Sequence, residues 1–90
     1  MATYLHVSFN FEGRPPPTEK LNELFNTALD WISYAPNCWI LWTTSTPEVW
    51  HSYLKKVVDP GDSIFIVEIK VENRGGFLPS AIWQWLQKSR

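Results

Sequence analysis

The segment "YLHVSFNF", residues 4–11, decides how the rest of the chain is read. Leu5, Val7 and Phe9 alternate with Tyr4, His6, Ser8 and Asn10, the period-two pattern of a strand with one face on a core. The other row carries no charge at neutral pH. Its groups make directed hydrogen bonds, so that face is expected to meet something more specific than water.

Outward from this strand, "EGRPPP" (12–17) reads as a loop, because three prolines end strand pairing, and Thr18 is placed to cap a helix. Leu21, Leu24, Phe25 and Ala28 then fall at helical spacing. Trp31, Ile32 and Tyr34, followed by Trp39 to Thr43, favour two strands joined by a turn at Ala35, Pro36 and Asn37. In "STPEVWHSYLKKVV" (45–58), Ser45 and Glu48 have capping-box spacing, and Pro47 suits the first turn of a helix capped by Ser45 or Thr46. Trp50, Tyr53, Leu54 and Val57 form its apolar stripe.

"DPGD" (59–62) is a turn, and "SIFIVEIKVE" (63–72) is the most strand-like run in the chain, with Phe65, Val67, Ile69 and Val71 expected on the core side. After "NRGG", the stretch "FLPSAIWQWLQK" (77–88) predicts a helix from Pro79 that buries Ile82, Trp85 and Leu86. The order β-α-β-β-α-β predicts an α+β, ferredoxin-like fold in one domain, residues 1–90. It has a four-stranded antiparallel sheet, two helices on one face and a short C-terminal helix. The first strand is then central, and the opposite sheet face is expected to lack a cover. Tyr4, His6, Ser8 and Asn10, flanked by Trp42, Glu68 and Lys70, would form a binding surface or dimer interface on it.

Bulk properties narrow the function. Eight basic and nine acidic residues leave a net charge of −1, which disfavours general attraction to phosphate backbones or anionic lipid. Six tryptophans are more than one small core readily hides, which points to a partner. The lone Cys38 excludes an intramolecular disulfide and a multi-cysteine zinc site, and "MATYLHVSF" lacks the features of a signal peptide; both fit a cytoplasmic chain. The uncharged run from Trp31 to Pro47 is broken by Pro36 and Asn37, so it reads as sheet and not as a membrane span.

Several segments together resemble the small bacterial and phage SinR-like proteins, relatives of the CRISPR-associated adaptation nucleases and of virulence-associated toxin endoribonucleases. The residues that carry the resemblance are Asp30 with Trp31, Trp39, the run Asp62 to Glu68, and Leu78-Pro79 followed by Trp83 and Trp85. It implies a ferredoxin-like homodimer and a setting in bacterial or phage defence. In the nuclease relatives an aspartate at the end of the first strand helps to hold a divalent metal; Asn10 stands at that position here. A neutral amide oxygen alone does not assemble a magnesium site for phosphodiester hydrolysis.

The remaining polar residues find plainer uses. His6 has no nucleophile or orienting carboxylate beside it in sequence, and Cys38 has no thiolate-stabilising neighbour. Glu68 and Glu72 read as solubilising charges, and Asp59 and Asp62 as turn formers. The expectation is therefore a non-enzymatic, homodimeric protein-interaction module with no catalytic residue, metal or cofactor assigned. A metal-dependent nuclease is the first alternative. Single-stranded RNA binding, with Tyr4 and Trp42 as stacking platforms, is the second.

Overall fold

The computed structural model describes residues 1–90. Leu5, Val7 and Phe9 do form the inner row of a strand, β1 (Thr3–Asn10), followed by α1 (Thr18–Phe25), β2 (Asp30–Ala35) and β3 (Cys38–Thr43). Then come α2 (Pro47–Leu54), a 3-10 turn at Lys55–Val57, β4 (Ser63–Ile69) and α3 (Ser80–Leu86). The architecture is a small α+β domain with one four-stranded antiparallel sheet in the order β2-β3-β1-β4. Two crossovers interleave: α1 carries the chain from β1 past β3 to β2, and α2 carries it from β3 past β1 to β4. No helix is long and apolar enough to cross a membrane.

The hairpin turns where Pro36 and Asn37 place it. Asn37 has φ 62, and a proline followed by a residue of positive φ is the sequence a type II turn requires. The Asn37 carbonyl then accepts from the Phe9 N–H at 3.0 Å, tying the turn to β1. At the start of α2, Thr46 is the cap: its Oγ1 accepts from the Val49 N–H at 3.3 Å, with Pro47 as the first helical residue. The capping-box spacing of Ser45 and Glu48 plays no part. Thr18, expected to cap α1, is instead the first residue inside it, after Pro17, and makes no capping bond.

One sheet face holds the main core. Leu5, Val7 and Phe9 from β1 and Trp39 and Leu41 from β3 pack against Leu21 and Phe25 of α1 and Trp50 and Leu54 of α2. Each such side chain contributes about 1.5 to 3 kcal/mol by leaving water, so these nine are the larger share of what holds the domain. The Trp50 indole also donates to Thr43 Oγ1 at 3.1 Å, which settles the only buried polar residue.

Two expectations are corrected. The second face is not bare: α3 lies on it, and Ile82, Trp85 and Leu86 bury with Ile40 against Tyr4, Ile32, Tyr34 and Ile69. The cause is in β2 and β3, where Ile32 and Ile40 point away from the main core and need an apolar cover of their own. The facing of β4 is also reversed. Ile64 and Ile66 stand opposite Phe9 and Val7 and join the main core, whereas Phe65 stands opposite Ser8 and is 61 % exposed. Both alternating rows of "SIFIVEI" are apolar, so period alone cannot choose between them; the register with β1 does. By that register Glu68 lies opposite Leu5, on the face away from Tyr4, and Lys70 follows just beyond β4.

Candidate binding site on the second sheet face

The polar row of β1 is divided by α3 into two environments. At its start, Tyr4 packs on Trp42 with ring centroids 4.7 Å apart and meets the edge of Trp85 from α3 at 6.0 Å. Register makes this possible, because Tyr4 pairs directly with Trp42, and Trp42 with Asp30 on β2. Tyr4 and Trp42 are therefore packed on each other, and Tyr4 on Trp85, within the chain.

A guanidinium lies among these rings. The Arg90 central carbon is 4.6 Å from the Trp85 ring centroid, 5.6 Å from Trp42 and 5.8 Å from Tyr4. Its Nε donates to the Tyr4 hydroxyl at 3.0 Å, and Nη1 lies 3.1 Å from Asp30 Oδ2. Only 12 % of the Arg90 side chain is exposed. Lys88 approaches the same carboxylate oxygen at 3.4 Å from a more exposed position. Partial burial by itself raises the Asp30 carboxyl; the facing Trp85 indole, the Trp31 N–H at 2.9 Å, Arg90 and Lys88 outweigh it and hold the group below the ordinary carboxylate range. The Trp85 indole N–H is buried without a well-aligned hydrogen bond of its own, so its support for the carboxylate is electrostatic.

A cavity of about 490 Å³ opens beside this cluster, with Tyr4, Trp42 and Arg90 in its wall and Glu68, Lys70 and Glu72 around it. The sequence reading placed Glu68 and Lys70 with Tyr4 as neighbours on one face. They approach it only at the end of the sheet, around this cavity.

Midway along β1, His6 and Tyr34 are hydrogen-bonded through Nε2 and the phenol. Burial lowers the His6 pKa, so the ring is neutral near pH 7, and Nε2 accepts from the Tyr34 hydroxyl when the ring proton is on Nδ1. Burial raises the Tyr34 phenol, with Cys38 adding to the effect. Ser8 pairs with Cys38 on one side and Phe65 on the other.

Asn10 is exposed at the end of β1, opposite Ser63. Of the nearby acids, Asp62 spends both oxygens on backbone N–H groups, accepting from Glu12 at 3.0 Å and Asp59 at 2.8 Å. It closes the turn before β4. No three His, Cys, Asp or Glu side chains come together in an arrangement suited to a metal ion.

The feature that sequence reasoning missed is Arg90, together with Asp30 and Trp85 as parts of one site. No spacing announces it, since its members come from β1, β2, β3, α3 and the segment after α3. In comparisons with known proteins the chain matches no family model, no curated protein and no solved structure.

Proposed function

We propose that the chain is a ferredoxin-like, non-enzymatic interaction module that works as a homodimer, and that two copies meet along β4. The fold part of this reading is supported by the interleaved crossovers, the strand order β2-β3-β1-β4, and the packing of α1 and α2 on one sheet face. α3 on the second face is an addition to that plan. The segments that resemble SinR-like proteins support the same dimeric reading and its setting in bacterial or phage defence.

The observation that carries the dimer is Phe65. It is 61 % exposed on an edge strand, and the run Ser63 to Val67 has no lysine, proline or register shift. Edge strands normally carry one of these devices, because their outward N–H and C=O groups template pairing with another chain. A two-fold axis near Ile66 lets β4 pair antiparallel with its own copy, setting Phe65 of each chain across from Val67 of the other. A shallow groove of about 280 Å³, which Phe65 shares with Pro47, Glu48 and His51 of α2, runs beside that contact. With a net charge of −1, two copies repel each other little.

Size-exclusion chromatography with light scattering at micromolar concentration is the test. A dimer that becomes a folded monomer in Phe65→Lys is the expected result. A wild-type monomer would sink the dimer, and a Phe65→Lys dimer as tight as wild type would move the interface away from β4.

A further inference from the structure

We propose that Tyr4, Trp42, Trp85 and Asp30 form a recognition site for an arginine side chain. Arg90 fills it within the chain, and an arginine presented by a partner protein displaces Arg90.

The geometry selects a guanidinium from among the cations. Stacking at 4.6 Å over the Trp85 ring uses a flat, delocalised, weakly hydrated cation. The two polar contacts come from different nitrogens of one plane, Nε to the Tyr4 hydroxyl and Nη1 to Asp30 Oδ2. A quaternary ammonium has no N–H for either acceptor. A lysine ammonium reaches Asp30, as Lys88 shows from outside the rings, but lacks a plane to stack while doing so. The depressed Asp30 pKa keeps the carboxylate charged wherever the chain is folded near neutrality.

A clasp that only pinned the chain after α3 would do so with the apolar contacts of Ile82, Trp85 and Leu86, which already hold the helix. The guanidinium cage is additional to that cover and opens on a cavity of about 490 Å³ that shares Tyr4, Trp42 and Arg90 as its wall. That space lets a second segment approach Tyr4 and Trp42 before Arg90 has left. Lys70, Arg74 and Lys88 outnumber Glu68 and Glu72 around it, so selection of the arginine comes from the rings and Asp30 and not from the charge of the rim. Arg90 is thus an internal competitor whose effective concentration sets how strongly an external arginine must bind. The cage is at the Tyr4 end of the sheet, whereas Phe65 pairs with Ser8, so its occupancy is independent of the proposed dimer contact.

The test is titration of N-acetyl-arginine amide into wild type and Arg90→Ala, followed by tryptophan fluorescence, with N-acetyl-lysine amide as the competing probe. Arg90→Ala is expected to bind the arginine probe saturably, at least about tenfold more tightly than wild type and in preference to the lysine probe. A folded Arg90→Ala chain that binds neither, or both alike, overturns the proposal. Should Arg90→Ala not fold, the Arg90 Nε–H resonance of the wild-type chain decides. Ring currents displace it while it is caged, and excess arginine probe is expected to return it toward the position of free arginine; no movement at the solubility limit of the probe overturns the site.

Discussion

Trp39 and Trp50 are both buried in the main core, but only one of their indole N–H groups has a partner: Trp50 donates to Thr43, while Trp39 donates to nothing. The same substitution should therefore have different effects. Trp50→Phe removes a buried bond to Thr43 Oγ1, which keeps only the Ser45 N–H at 3.1 Å, whereas Trp39→Phe removes an unpaired donor whose burial already costs free energy. Urea denaturation is expected to show Trp50→Phe more destabilised than Trp39→Phe by at least about 1 kcal/mol; equal losses would mean that packing alone decides both sites. His6 gives a pH effect of definite sign. Its folded pKa is lowered by burial, so the unfolded chain takes up the proton first. The stability due to neutral His6 is complete above the ordinary imidazole value of about 6.5 and is lost as the pH falls through it toward the lower folded value. The denaturation midpoint should thus decline between pH 7 and the acid range, and His6→Gln should flatten that decline. At this scale the sequence was a partial guide. It identified Tyr4, His6 and Trp42 as members of one face but could not announce Arg90, because a guanidinium brought in from the segment after α3 leaves no period or spacing to read.

At the scale of elements, two threonines at helix starts, Thr46 just before α2 and Thr18 at the first position of α1, test what a cap requires. Thr46 makes the capping bond and Thr18 makes none. Thr46→Ala is expected to lower stability by about 1 kcal/mol, and Thr18→Ala by much less. Thermal unfolding of the pair decides it, and similar losses would show that helix starts depend on something other than the side-chain oxygen. The elements themselves were readable wherever one periodicity dominated: β1, the turn at Pro36 and Asn37, α3 and the start of α2 lie where the residues put them, whereas α2 ends at Leu54 and leaves Tyr53 of its expected apolar stripe exposed. β4 was readable as a strand but not as a facing. In "SIFIVEI" each of the two rows is apolar, and only pairing with β1, a long-range event, chooses Ile64 and Ile66 over Phe65 for the main core.

At the scale of the whole molecule, one sheet serves two apolar clusters of unequal size, the larger under α1 and α2 and the smaller under α3. The smaller should be separable. Replacing Ile82 and Leu86 together by serine is expected to release α3, raise binding of a hydrophobic dye, and leave the amides of β1 and β3 protected from hydrogen exchange. Loss of that protection would show that the two clusters fold as one. The α+β class and the four-stranded antiparallel sheet followed from element order, but the cover on the second face did not, because α3 reads as a short amphipathic segment with no sign of where it docks. Strand β1 is the common wall of both clusters, and its pairing joins Tyr4 to Ile69 with α1, β2, β3 and α2 lying between them in the chain. During synthesis, then, the hairpin of β2 and β3 emerges with its turn complete while β1 still lacks β4. The nascent chain exposes the β1 edge until β4 clears the ribosome, and a chaperone has that interval in which to bind it.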